Sequence, residues 1–198
     1  MSVAPLSPVL SPSPSFSPAA ALTAPLVAAA ATRPAGSAAL AVALAVRSDL
    51  WEPLVRFRED TRWTLLLEPE PLEEVLDPSL HADLAEAQVW LLSWLPGQGT
   101  ALHDHGSSSG AFAVARGTLT ERVVATGGPG RPRETDTDLT AGRLRYFGPH
   151  HVHQVTNTAT EPAVSLHVYA PRLRLMNTYV VTGAGLVRTG TERAGVDW

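Results

Sequence analysis

The chain contains no cysteine, which excludes disulfides and every metal site built on thiolates. A metal held by this protein must take its ligands from His, Asp, Glu or backbone oxygen. The same absence suits a reducing compartment, and a cytoplasmic location is expected. Charge is also sparse: charged residues make up 17% of the chain and the net charge is −4. That balance gives no electrostatic reason for nucleic acid or an anionic membrane as partner. No uninterrupted apolar run is long enough to span a bilayer. The apolar stretch "AAALTAPLVAAAA" is broken by proline and preceded by no Lys or Arg, so an export signal is not expected either.

What the chain does have is unevenly placed. Ser, Pro and Ala dominate residues 1–36, where repeated prolines remove backbone donors and block helix continuation. This arm is expected to lack a fixed fold, and residues 37–198 to form one domain. "SAALAVALAV" reads as a short buried helix, and "SDLWEPLVRF" as a second, with Ser48 or Asp49 as its N-cap. "LEPEPLEEVLDPSLHADLAEA" is an acidic, proline-punctuated connection with room for one short helix. Beyond it, "QVWLLSWL", "GAFAVARGTLTERVVA", "GRLRYFG", "VHQVTN", "AVSLHVYA" and "NTYVVTG" are short β-rich runs between turn signals. Close spacing without intervening helices predicts a mainly β protein, a small antiparallel barrel with a few N-terminal helices packed on it.

Histidine carries the chemistry. Five of the seven histidines fall in two clusters, His103 with His105, and His150, His151 and His153. Side chains alternate along a strand, so His103 and His105 project to one side, and His151 and His153 do the same. One or both of the latter can approach the first pair from a neighbouring strand. Three neutral imidazoles suit iron, nickel, copper or zinc. His81 reads as a surface residue. The serines of "HDHGSSSGAF" lack the G-x-S-x-G elbow of a nucleophilic hydrolase and are read as loop residues lining the pocket.

The glycine spacing sharpens this. Gly97, five residues, His103-x-His105 and then Gly117 resemble the first motif of the cupin superfamily. Gly142 and His153-x-x-x-Asn157 resemble the second, although "GPHH" departs from it. Many cupins add a Glu ligand four or five residues after the second His, where Ser109 and Gly110 stand. Within the superfamily, "HDHGSSSGAF", "PHHVHQVTN" and "EPAVSLHVYAP" resemble bacterial cysteine dioxygenase-type proteins, over about Asp49 to Tyr179.

That resemblance implies a ferrous ion held by His103, His105 and His153. It also implies a functional strand bearing Ser165, His167 and Tyr169. Alternation puts these three on one face, with Val164, Leu166 and Val168 on the other. Ser165 could then hold one nitrogen of His167 and the other nitrogen could orient Tyr169. The family holds its substrate carboxylate with an arginine, which the resemblance assigns to Arg62, with Arg58 and Arg172 as alternatives. Asp60 replaces a tyrosine found before that arginine in mammalian members. Gly110 replaces their cysteine, so the thioether those members form with tyrosine has no counterpart.

The implied reaction transfers both atoms of O2 to the sulfur of a small thiol, giving a sulfinic acid. L-cysteine is the first expected substrate, with 3-mercaptopropionate or another small thiol as the alternative. A metal-dependent cupin enzyme acting on a non-thiol and a non-catalytic ligand-binding cupin are the rival readings. A monomer with no nucleic-acid or membrane partner is expected.

Overall fold

The computed structural model describes residues 36–125 and 132–194. The proline-rich arm expected over residues 1–36 therefore lies outside the described residues, apart from Gly36. That glycine opens helix α1, Gly36–Ala45. Its Ala- and Leu-rich sequence favours helix, and Ala38, Leu40, Ala41 and Leu44 are buried against the sheet. Helix α2, Ser48–Trp51, continues into a 3-10 turn at Glu52–Leu54.

The expected cap of α2 needs correction. The N-cap is Arg47, with no side-chain cap bond, and Ser48 is already helical. Asp49 instead takes a bidentate pair from the Arg47 guanidinium, leaving its oxygens committed away from the first-turn N–H groups. The acidic connection holds two short helices rather than one, α3, Pro69–Glu73, and α4, His81–Glu86, with a 3-10 turn at Pro78–Leu80 between them. Asp77 caps that turn by accepting from the Ser79 N–H at 2.8 Å. Among the described residues, no helix is long and apolar enough to cross a membrane.

Eleven strands follow or intervene: β1 (Trp63–Leu67), β2 (Gln88–Trp94), β3 (Leu102–Asp104), β4 (Ser109–Arg116), β5 (Thr118–Ala125), β6 (Arg133–Thr140), β7 (Leu144–Phe147), β8 (His153–Thr156), β9 (Ala163–Ala170), β10 (Leu175–Thr182) and β11 (Gly185–Arg193). All pairings are antiparallel. They form two sheets, β1-β2-β9-β4-β7 and β11-β10-β3-β8-β5-β6. Strands β2 to β9 thus divide as β2-β9-β4-β7 and β3-β8-β5-β6, the jelly-roll order. The protein is mainly β, as expected, and this is the cupin barrel. Sequence patterning did not reveal β1, β6 or β11.

The five-stranded sheet is covered on both faces, which explains why β2 and β9 read as nearly continuous apolar runs. Val89 and Leu91 of β2, with Val164, Leu166 and Val168 of β9, join α1, α4 and Trp51 in an outer core. Trp90, Leu92 and Trp94, with Ala163 and Tyr169, turn into the barrel beside Phe112, Leu119, Phe147, Val155 and Met176. Strand β9 therefore shows one face to the helices and its polar face to the barrel interior. Gly117 makes the tight link from β4 to β5 with φ +77°, and a Cβ there would lie 2.7 Å from the Pro162 carbonyl. A side chain is excluded on both counts.

Candidate metal centre

His103 lies on β3, His105 just beyond its end, and His153 opens β8. His103 and His153 face each other directly across the β3–β8 ladder. The three rings have centroids 4.8 to 5.0 Å apart. Their exposures are 5%, 2% and 1%, which rules out a solvated surface cluster. Their ligand atoms converge into one group that could hold a metal ion.

The hydrogen bonds around the rings fix which nitrogens face inward. His103 Nδ1 lies 2.8 Å from the Ala101 carbonyl, an acceptor, so Nδ1 carries the proton and Nε2 presents a lone pair. His153 Nδ1 lies 2.7 Å from Glu121 Oε1, with the same consequence. His105 Nε2 comes within 3.2 Å of His103 Nε2. Nitrogens at that separation can both bond one ion at about 2.1 Å, so the donor set fits a divalent metal. Burial, with the neighbouring imidazoles, holds His103 and His105 well below the ordinary histidine range. Both are neutral near neutral pH, the state a metal ligand requires.

The ligand group contains no carboxylate. Ser109 and Gly110, at the positions where many cupins carry Glu, are the first residues of β4. Gly110 is also held by its surroundings. It pairs with Tyr169 across β4 and β9, and a Cβ would lie 2.6 Å from the Val168 carbonyl and 2.7 Å from Phe147 Cζ. The Phe147 ring thus occupies the space that a side chain at 110 would need.

One buried acid was not foreseen. Glu121 on β5 has no exposed surface. It accepts from His153 Nδ1 at 2.7 Å and from His151 Nε2 at 3.1 Å, and it pairs with Arg145 at 2.5 Å. Burial alone would raise its pKa, but the hydrogen bonds from His151 and His153 outweigh burial and hold it near 2. It is therefore a carboxylate that orients the His153 ring from behind. The signal was present in "GTLTERVVA", where alternation from buried Leu119 puts Glu121 on the inward face. His151, the other candidate of the second cluster, serves this acid and packs on Phe147 at 5.8 Å.

Beside the histidines lies a narrow cavity lined by Arg62, Trp90, Trp94, His167, Tyr169 and Met176 among others. Ser165 Oγ is 2.9 Å from His167 Nε2, and His167 Nδ1 is 3.5 Å from the Tyr169 hydroxyl. Burial, then the nearby His153 and Arg62, pulls His167 down to about 3. Burial pushes the Tyr169 phenol well above its ordinary value, with Arg62 opposing.

Of the three candidate arginines, only Arg62 lines the cavity. Its guanidinium sits 5.8 Å from the Trp94 ring centroid, and its Nε is buried with no hydrogen-bond partner among the described residues. Arg58 is exposed and paired with Asp60 at 2.8 Å. Arg172 is exposed as well, and its carbonyl takes a bond from Ser108 Oγ at 3.4 Å. The serines of "HDHGSSSGAF" do not line the cavity: Ser107 lies in a turn, the Ser108 N–H bonds to the His105 carbonyl, and Ser109 opens β4. His81 is half-buried, its Nε2 3.3 Å from the Leu76 carbonyl.

Residues 80–181 match the family model for Cysteine dioxygenase type I, a span containing the three clustered histidines, Ser165, His167 and Tyr169 but not Arg62. Human Cysteine dioxygenase type 1 is 31% identical over 92 residues, 42% of this chain and 44% of that protein, and the Pongo abelii protein matches equally. The chain therefore spans less than half the length of the curated relatives it matches. Among solved structures, a Thermus thermophilus protein is 23% identical over 61% of this chain and 93% of its own, with a TM-score of 0.44. A Klebsiella pneumoniae protein with a double-stranded β-helix domain is 22% identical over 70% and 93%, with a TM-score of 0.42. With the family model matching residues 80–181 of the 198, the chain belongs to the cysteine dioxygenase type I family.

Proposed function

We propose that this protein is an iron(II)-dependent dioxygenase that oxidises the thiol of a small carboxylate-bearing substrate, L-cysteine first, to a sulfinic acid. The observation that carries this reading is the buried Arg62 Nε, unbonded among the described residues, in a cavity lined also by His103 and His153 of the three converging histidines. His103, His105 and His153 would hold the iron through their Nε2 atoms. Once bound, ferrous iron supplies the centre at which a thiolate sulfur and O2 meet. A planar guanidinium suits a carboxylate, so Arg62 binds that end of the substrate and sets the direction from which sulfur approaches.

Trp90, Leu92, Trp94 and Met176 exclude water around it. Tyr169 keeps its phenol proton at neutral pH because burial disfavours the anion. It can therefore donate to oxygen at the reacting end. His167, neutral above about pH 3, holds that hydroxyl without delivering a charge of its own. The cavity carries no carboxylate among its described lining residues, although Glu192 acts on Arg62 from outside that lining, so the lining itself offers a substrate ammonium no counter-charge. 3-Mercaptopropionate, which has the carboxylate and no amine, is for that reason the second substrate to test.

The test is oxygen uptake and sulfinate formation by anaerobically iron-loaded protein with cysteine, 3-mercaptopropionate and cysteamine. Turnover of a carboxylate thiol is expected. Failure with all three overturns the assignment, and equal turnover of cysteamine overturns the role of Arg62.

A further inference from the structure

Three side chains on β9 form the expected series, but the hydrogen bonds continue one residue further. Trp94, at the end of β2 and fully buried, donates its indole N–H to Ser165 Oγ at 2.9 Å. Its place is fixed on both sides. The Asn157 amide, also fully buried, donates to the Trp94 carbonyl at 3.1 Å, and the Arg62 guanidinium lies over the ring.

An indole N–H can only donate, and that one fact propagates along the series. Among the described residues, Ser165 Oγ has two hydrogen-bond partners, Trp94 Nε1 and His167 Nε2. With Trp94 donating, the serine proton has one remaining acceptor, His167 Nε2. Were Nε2 protonated instead, Ser165 would accept twice and bury a hydroxyl proton with no partner among the described residues, which is unfavourable. A neutral imidazole that accepts at Nε2 carries its proton on Nδ1. Nδ1–H then points at the Tyr169 oxygen, and the phenol proton is left free to turn elsewhere. The nearest ring on that side is His105, 5.0 Å between centroids.

We propose that Trp94 is a positioning residue whose indole N–H sets the direction of the whole series, from Trp94 through Ser165 and His167 to Tyr169, so that Tyr169 presents a proton donor to the histidine cluster. Reversed, the same atoms would spend the phenol proton on His167 and offer the cluster only oxygen lone pairs. The catalytic consequence rests on the dioxygenase reading above, whereas the direction of the bonds does not. Ser165 and His167 alone do not settle it, because each can donate or accept.

The test separates the two. In metal-free protein at pH 7.5, imidazole 15N NMR reads the His167 tautomer directly. Wild type is expected to hold the Nδ1–H form over the Nε2–H form by at least about ten to one, within the reach of one buried hydrogen bond. Trp94→Phe keeps the ring and removes the donor, and should bring the ratio to within about threefold of unity. Ser165→Ala cuts the link at its next member and should do the same, so the proposal stays testable if Trp94→Phe does not fold. A wild-type His167 in the Nε2–H form overturns the proposal, as does a wild-type ratio in a folded Trp94→Phe or Ser165→Ala variant. In the iron-loaded enzyme, Trp94→Phe should lower kcat at least about tenfold with KM changed less than twofold, the pattern of an interaction made in the transition state. An unchanged kcat overturns the catalytic consequence. Absence of thiol oxidation in wild type would overturn the functional reading and leave the NMR result standing.

Discussion

Replacing Glu121 with alanine should loosen the proposed metal centre without altering any of its three histidines. The carboxylate is fully buried, yet all its contacts are to the supporting side of the site: His153, His151 and Arg145. Its removal leaves His153 Nδ1–H without an acceptor and Arg145 without its counter-charge. Breaking a buried ion pair by deleting one member costs about 3–5 kcal/mol. The Arg145 side chain is 33% exposed and can turn to water, so about 2–3 kcal/mol is expected here. For a domain of this size that lowers Tm by about 4–12 °C. Metal affinity should fall by about 10- to 100-fold, the usual effect of losing a carboxylate behind a ligating histidine. Glu121→Gln keeps an acceptor for His153 but loses the Arg145 charge pair, and should fall between alanine and wild type. Anaerobic chelator competition for Fe(II), with thermal unfolding in excess chelator, reads both quantities. Alanine at 121 with metal affinity within twofold of wild type would refute the argument.

Other consequences can be measured in the same preparations. Arg62→Ala should raise KM for a carboxylate thiol by about 10- to 100-fold, the worth of a charged hydrogen bond, while leaving turnover of cysteamine unchanged. Equal loss for both thiols would mean that Arg62 serves packing. Gly110→Cys should destabilise by about 1–3 kcal/mol through overpacking against Phe147 and the Val168 carbonyl. Peptide mass analysis should find no link from position 110 to Tyr169, and a linked peptide would show that Phe147 yields. Metal-free stability should fall with acidification because His167 binds its proton in the unfolded chain near pH 6.5 but in the folded protein only near 3. The stabilisation is complete above pH 6.5 and is lost as pH falls towards 3. His167 alone accounts for about 1 kcal/mol between pH 7 and 5.5. Denaturant titrations of wild type and His167→Gln should differ by that amount, and parallel pH dependence would exclude it.

The barrel and its histidines were legible because both have short-range signatures. Alternation along "AVSLHVYA" separated Ser165, His167 and Tyr169 from Val164, Leu166 and Val168, and the two sets do face opposite sides of the sheet. Spacing paired His103 with His105 and left one or both of His151 and His153 to join them, the resemblance singled out His153, and the three side chains converge. What escaped depended on partners distant in sequence. Strand β6 carries exposed polar residues and is identified by its pairing with β5. Strand β11 pairs with β10 alone, and its side chains are exposed or half-buried, so it lacks a buried stripe. Glu121 was hidden because an acid in an apolar strand acquires meaning only once Arg145 and two histidines surround it. The reason for Gly110 likewise required the Phe147 ring, 37 positions away.

The six-stranded sheet has one narrow seam. Strands β3 and β8 themselves share one facing pair, His103 opposite His153, and the chain before β3 extends the joint through the Thr100 N–H to the Val155 carbonyl and a bridge from Gly99 to Thr156, whereas β5 and β6 are laced together along their full length. On one side of the seam lie β10 and β11, on the other β5 and β6. An ion gripped by His103 and His153 would act as a clasp across this joint of the sheet. Metal supply would then govern how long this sheet stays closed. Amides of β3 and β8 should exchange fastest when the clasp is missing, and proteolysis of metal-starved protein should begin there.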